Sequence, residues 1–253
     1  MTIWERELIR YTRDRGRIFT TLFQPIMFLV VFGTGFRTTF AQAQPGLDYF
    51  QFMFPGILAM NIMGTAFFSS ISTVWDREFG FLKEILVAPV SRMSIAAGKT
   101  LGATTIAAGQ ALVLFLLAPV IGVAPPLLAL PLIFVFMLLI AFAISGLGLL
   151  VASLIRSIEN FGLLMNLLVF PMFFLSGAFF PLSNVPVWMK LLSRLDPLSY
   201  GVDAMRQLLL SSKVEAAALA QVSIFPVAWD AVFLAAFSVA MLSAAVFAFA
   251  KRG

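Results

Sequence analysis

The chain has 253 residues, of which 61% are hydrophobic and 11% charged, and its mean hydropathy is +1.00; an average soluble domain has roughly 25% charged residues. It contains no cysteine and no histidine, and its formal net charge is +5. This composition indicates a multi-span membrane protein, and it excludes disulfides, thiol catalysis, haem ligation and the usual zinc sites.

The amino terminus, residues 1–17, predicts a short amphipathic helix on the membrane surface. Trp4, Leu8 and Tyr11 recur at helical spacing among charged residues, as in helices that lie in the membrane interface. A solvated basic tail is the alternative. The apolar run that follows is longer than the core of a signal peptide, so we expect an uncleaved first span rather than a cleaved leader.

Six apolar stretches are long enough to predict spanning helices. They are Phe19–Phe36, Phe52–Val74, Ile95–Val120, Leu127–Ile155, Phe161–Phe180 and Val227–Ala250. The predicted fold is therefore an all-α polytopic membrane helix bundle, with residues 1–253 forming a single domain. The polar residues near the middle of the spans are neutral ones, whereas a transporter driven by an ion gradient usually carries ionisable groups there. We therefore expect the energy source to lie outside this chain.

Basic residues indicate the orientation of the bundle. An even number of spans places both ends on one side, and the arginines of residues 6–17 together with Lys251 and Arg252 predict that this side is cytoplasmic. Because the positive charge follows the span boundaries, we interpret it as a sign of topology and expect no nucleic-acid binding.

A mixed-charge segment, residues 76–94, separates the second and third spans and contains DREFGFLKEILVAPVSR. Residues 78–87 predict two to three turns of amphipathic helix, which Pro89 ends. Such a helix would lie on the cytoplasmic face with its charges available to a soluble partner. A helix that only anchors the loop is the alternative.

The tripeptide GKT at 98–100 imitates the end of a phosphate-binding loop. The full pattern needs a glycine where this chain has Met93, and the segment enters a spanning helix rather than following a strand. We therefore expect no nucleotide binding here. Gly98, Gly102 and Thr105 instead predict a small helix face for close packing.

Residues 181–226, on the predicted outer side, contain apolar runs too short to cross a membrane. Val187–Leu195 and Tyr200–Leu210 each predict a short amphipathic helix. Asp196 separates them, because Pro197 disfavours helical backbone at the residue before it. We expect a pair of outer re-entrant or interfacial helices, with a plain extracellular loop as the alternative.

Two long motifs in this order resemble the signatures of the type-2 ABC exporter permeases. The motifs are DREFGFLKEILVAPVSR followed by GKT, and GAFFPLSNVPVWMKLLSRLDPLSYGVDAMR. The resemblance covers nearly the whole chain and is strongest to the compact permeases of drug-resistance and nodulation-factor exporters. It implies a permease in a prokaryotic plasma (inner) membrane, a homodimer or a heterodimer with a sister permease, and two separate ATPase subunits that bind ATP and Mg²⁺. This chain itself would carry no cofactor and no catalytic or metal site, and it would export a hydrophobic or amphiphilic drug, lipid or lipid-linked glycan.

The resemblance also implies roles for particular residues. Residues 1–17 would be the connecting helix and residues 76–94 the coupling helix. ATPase coupling would involve Arg77, Glu78, Phe81, Leu82, Lys83 and Glu84. The outer re-entrant gate would contain Pro181, Pro186, Asp196, Pro197 and Tyr200. Spans one, two and five would line the translocation path, with candidates Asn61, Phe67, Asn166, Phe170 and Phe174.

Other interpretations remain open for parts of this assignment. Asn61 and Asn166 could serve only as hydrogen-bonding residues between helices. For the whole chain, an ATP-independent membrane enzyme or scaffold acting on lipids predicts a polar catalytic cluster at one interface, and a secondary transporter predicts ionisable residues within the spans. The sequence shows neither pattern.

Overall fold

The computed structural model describes residues 2–43, 47–80, 91–155, 157–211, 219 and 222–252. Within these residues the chain forms α-helices and short 3-10 turns, and no strand. The α-helices, numbered here in chain order, are α1 Thr2–Arg13, α2 Arg15–Gly35, α3 Arg37–Ala43, α4 Tyr49–Glu78, α5 Arg92–Phe115, α6 Leu130–Leu154, α7 Ile158–Leu175, α8 Val187–Ser193, α9 Pro197–Leu210 and α10 Val227–Arg252. The predicted all-α membrane bundle is confirmed.

Each predicted span corresponds to a helix, but the third differs from the others in composition. Five helical segments are long and apolar enough to cross a membrane: Arg15–Gly35, Tyr49–Glu78, Leu127–Leu154, Ile158–Leu175 and Val227–Ala248. Helix α5, with 24 residues, is long enough but carries buried polar side chains, among them Lys99 and Gln110. Those side chains face other helices, so α5 needs less apolar surface than a lipid-facing span.

Helix α4 forms the centre of the bundle. It packs against α2, α5, α6, α7 and α9. In its most apolar 18-residue stretch 72% is buried, compared with 17% in the corresponding stretches of α2, α7 and α10. Its 30 residues make a rod about 45 Å long. Helix α4 therefore links the two ends of the bundle mechanically.

Helix α1 packs across the start of α5. Gly98 and Gly102 face Ile3 and Glu7 so closely that a methyl group on either glycine would touch them, and the indole N–H of Trp4 donates to Thr105 Oγ1 at 3.1 Å. The predicted small face of α5 is thus confirmed, and its partner is the amino-terminal helix.

The predicted pair of short helices at the opposite end is present as α8 and α9. Asp196 has extended backbone and accepts the Leu198 N–H at 2.9 Å, and Pro197 occupies the first turn of α9. Helix α9 is buried along nearly its whole length against α4, α6 and α10, whereas much of α8 is exposed. The chain therefore inserts α9 into the bundle.

Candidate functional site: a buried ion network and an apolar cavity

Asp76, near the end of α4, is the centre of a buried ion network. Its Oδ2 accepts hydrogen bonds from Arg6 Nη2 at 2.8 Å and from Lys99 Nζ at 2.7 Å. Asp76 and Lys99 are 6% and 4% exposed. Asp76 therefore joins three helices, α1, α4 and α5, at one point.

Glu7 completes the network and balances its charge. Glu7 Oε1 lies 3.0 Å from Arg6 Nη2 and 3.6 Å from Lys99 Nζ, so two cations meet two anions. Burial lowers the pKa of Arg6, but its hydrogen bonds to Asp76 and Glu7 outweigh this effect and raise the net pKa above the ordinary value. Lys99 of the GKT sequence forms ion pairs with both carboxylates.

Two predicted coupling residues, Arg77 and Glu78, make contacts inside the chain. Arg77 Nη1 donates to the carbonyl oxygens of Ser153 and Ile155 at 2.8 and 2.9 Å, and Glu78 Oε2 accepts the Ile158 N–H at 3.0 Å. The end of α4 therefore holds the turn between α6 and α7. Contact of these residues with an ATPase stays a prediction.

The remaining predicted coupling residues are outside the described part of the chain. They are Phe81, Leu82, Lys83 and Glu84. The structure describes the residues on either side of this segment. Asp76 lies two residues before the end of α4, and the Ser91 hydroxyl caps α5 by accepting the backbone N–H of Ser94.

An apolar cavity of about 230 Å³ lies between α2, α4 and α7. All five predicted path residues line it: Asn61, Phe67, Asn166, Phe170 and Phe174. None of the described residues that line it is ionisable. The structure therefore brings the path candidates together around one uncharged space, bounded by the helices of predicted spans one, two and five.

Asn61, which lines this cavity, carries a buried hydrogen-bond acceptor. Its Nδ2 donates to the Thr21 carbonyl at 2.9 Å, which fixes the amide, and its buried Oδ1 has no hydrogen-bond partner among the described residues. Gln110 forms a second polar crossing, accepting from Thr65 Oγ1 at 2.7 Å and contacting Thr21. Asn61 thus both joins helices, as its alternative interpretation expects, and leaves an acceptor free.

The predicted outer-gate residues hold the ends of α8 and α9 in place. Pro186 precedes the first turn of α8 and Pro181 the 3-10 turn Leu182–Asn184. The Tyr200 hydroxyl donates to the Arg194 carbonyl at 2.8 Å. The Tyr200 ring stacks on those of Phe225 and Phe233. These contacts are structural, and the gating role of the residues stays a prediction.

Arg206 is a buried charge that the sequence analysis did not single out. It is 2% exposed, donates to the carbonyl oxygens of Gly177 at 2.7 Å and Phe52 at 3.4 Å, and lies 4.0 Å from the centre of the Phe52 ring. Gly177 has a φ of +75°, a conformation that favours glycine. Arg206 therefore joins α9 to the start of α4 and to the end of α7.

Asp203 anchors the chain that returns to α10. Its Oδ2 accepts the N–H groups of Ile224 and Phe225, both at 2.9 Å. In the sequence, the three-residue spacing of Asp203 and Arg206 on an amphipathic helix was the one sign that both could have a shared role. The same spacing is equally typical of a solvated helix face, so it did not predict that they are buried.

Comparison with known proteins gives a consistent result. A profile of the family described as "ABC-2 type transporter" matches residues 1–210. The chain is 30% identical over 205 residues to the putative transport permease ycf38 of Cyanophora paradoxa, covering 80% of this chain and 71% of that protein. It is 26% identical to nodulation protein J of Rhizobium leguminosarum bv. viciae, covering 85% and 83%. It is 29% identical to the probable multidrug ABC transporter permease YbhR of Escherichia coli K12, covering 66% of this chain but 45% of that protein.

Proposed function

The chain belongs to the ABC-2 type transporter family, and from this premise we propose that it exports a hydrophobic or amphiphilic substrate with ATP hydrolysed by a separate subunit. The observation that carries the proposal is the uncharged cavity between α2, α4 and α7. Burying an unpaired ion in such a space is costly, so the part of the substrate that enters it is uncharged. The Asn61 acceptor favours a substrate with a hydrogen-bond donor in that part.

The proposed coupling route runs along α4. The middle of this helix, from Met60 to Ile71, lines the cavity, and its end carries Asp76, which is bonded to α1 and α5. In this proposal the ATPase binds ATP and Mg²⁺ on the cytoplasmic side, where it contacts residues 76–94 and α1. Movement of the coupling segment then shifts α4 and reshapes the cavity.

We further propose a homodimeric permease with two ATPase copies, both chain ends lying in the cytoplasm of a prokaryotic cell. The exposed apolar faces of α2 and α7 support this proposal. Beside the cavity, the side chains of Phe170 and Phe174 on α7 are 54% and 45% exposed, and α2 exposes Phe23 at 52%. In the proposed dimer these faces meet those of the second copy, while membrane lipids cover the remaining apolar surface. A sister permease would fit the same faces.

Filling the cavity tests the proposed path. Gly64 lines the cavity, and a Cβ placed there meets no atom within 4 Å. We expect Gly64→Phe to reduce ATP-dependent transport by the reconstituted complex to about one tenth of the native rate or less, since the ring takes space the substrate needs.

Gly109→Phe is the matched control, because Gly109 is an equally unobstructed helix glycine outside the cavity. It should retain near-native transport of a hydrophobic dye into proteoliposomes. Equal transport by the two variants would show that substrate does not pass between α2, α4 and α7.

Charge reversal in the coupling segment tests the ATPase contact. We expect Lys83→Glu and Glu84→Arg each to weaken co-purification with the ATPase subunit, because both would place a like charge against the partner's surface. Binding is measured by co-purification, and coupling by the change in ATP hydrolysis that the permease causes in lipid nanodiscs. Native binding and coupling in both variants would leave residues 76–94 as a membrane anchor only.

A further inference from the structure

A second, polar cavity of about 210 Å³ lies between α1, α2 and α4, at the end of the bundle that carries α1. Its polar lining includes Arg10, Tyr11, Arg17, Ser69 and Ser72. Glu7, which completes the Asp76 network, also borders this polar cavity, but the cavity plays no part in the coupling route described above.

Arg17 lies in this cavity with unused hydrogen-bonding capacity. Its Nη2 donates to Ser69 Oγ at 3.1 Å, and its guanidinium lies 5.4 Å from the centre of the Tyr11 ring. Among the described residues, its buried Nε has no hydrogen-bond partner and no carboxylate lies within ion-pair distance of it. A guanidinium with a buried, unpaired donor favours an acceptor from outside the chain.

The carboxylates that border the polar cavity do not neutralise it. Glu7 is paired with Arg6 at 3.0 Å. Asp14 is exposed, and its Oδ1 caps α2 by accepting the backbone N–H of Arg17. Arg10 also lines the cavity and stacks over Trp75 at 5.2 Å from the ring centre. Because Glu7 is balanced within its own network, Arg10 and Arg17 face the single remaining carboxylate of Asp14. The polar cavity therefore keeps an excess of positive charge that suits an anion.

The polar cavity adjoins the apolar one. Phe68 and Ile71, on successive turns of α4, line both. The cationic site at Arg17 and the uncharged space therefore lie on two sides of the same pair of side chains. A free anion would use only the first cavity, so the shared wall favours a ligand with both parts.

We propose that the polar cavity binds the anionic headgroup, a phosphate or carboxylate, of a single-chain amphiphile whose tail occupies the apolar cavity. Arg17 forms charge-assisted hydrogen bonds to the headgroup through its guanidinium. Arg10 adds positive charge at the entrance. This inference deepens the proposed function, on which it rests for the use of the apolar cavity by substrate.

The test is equilibrium binding of radiolabelled dodecyl phosphate to the full-length permease alone in phosphatidylcholine nanodiscs. We expect Arg17→Gln to weaken binding by about tenfold or more, as for loss of a charge-assisted contact, and Arg17→Lys to retain part of the affinity. Arg13→Gln removes an exposed arginine from the same region, outside the polar cavity, and should bind normally. Dodecyltrimethylammonium, with the same tail and the opposite charge, should not compete.

Three outcomes would overturn the inference. Native affinity in Arg17→Gln would remove Arg17 from the site, and an equal loss in Arg13→Gln would reduce the effect to general surface charge. Displacement of dodecyl phosphate by inorganic phosphate at an equal concentration would show that the cavity binds a free anion. The binding assay needs neither ATP nor an ATPase. The proposed transport function is tested separately, by movement of a neutral dye in the native chain and in Gly64→Phe, so the two proposals can fail independently.

Discussion

Replacing Asp76 with asparagine is expected to destabilise the permease by about 3–5 kcal/mol, the usual cost of removing one partner from a buried ion pair. The substitution leaves Lys99 buried at 4% exposure without the carboxylate that lies 2.7 Å from its Nζ. It also releases Arg6, and with it the link between α1 and α4. We therefore expect ATP hydrolysis by the assembled complex to lose its response to substrate.

A double variant separates stability from coupling. In Asp76→Asn alone, Arg6 and Lys99 share the single carboxylate of Glu7. Adding Lys99→Met removes this excess positive charge and leaves Arg6 paired with Glu7, so much of the lost stability should return. The link between α1 and α4 should not return. Unfolding in mixed micelles and ATP hydrolysis in nanodiscs measure the two effects, with Glu5→Gln, at an exposed position of α1, as control. Native stability of Asp76→Asn would contradict the role of the ion network.

Arg206→Met is expected to have the second large effect, about 2–5 kcal/mol of lost stability. The methionine fills part of the space, but the Gly177 carbonyl oxygen loses its donor, and a buried, unpaired carbonyl costs about 1–3 kcal/mol. The Phe52 carbonyl loses a longer contact of 3.4 Å but lies within α4, where the helix backbone supplies another donor. The contact of the cation with the Phe52 ring is lost as well. Helix α9 should consequently separate from α4 and α7 and make this end of the bundle accessible.

The matched control for this variant is Arg194→Met, which removes an exposed arginine just before α9. It leaves intact the backbone carbonyl that accepts the Tyr200 hydroxyl. Unfolding in mixed micelles and labelling of a cysteine introduced at Ser199 report stability and opening. Equal results for Arg206→Met and Arg194→Met would show that the packing of α9 does not depend on the buried cation.

The helices of this bundle could be predicted from local patterns because their causes are local. Apolar length places the spans, and the Asp196–Pro197 step separates α8 from α9 by fixing the backbone at the start of a helix. The close packing at Gly98 and Gly102 was also predictable as a small face, although the sequence gives no sign that α1 is the helix packed on it.

The partners of the charged residues could not be predicted, because they are distant in sequence. Asp76 pairs with Arg6, 70 positions away, and with Lys99, 23 positions away. Arg206 finds a carbonyl 154 positions away. Charges on an amphipathic stretch usually indicate a solvated face, and only the folded bundle shows that these are buried.

The most direct test of the account is ATP-dependent movement of a fluorescent, neutral hydrophobic dye across proteoliposomes that contain the permease and its ATPase subunit. The account predicts movement away from the ATPase side that needs ATP and both subunits, and that Gly64→Phe blocks while Gly109→Phe does not. Movement that persists without ATP or without the ATPase, or that is directed toward the ATPase side, would contradict it.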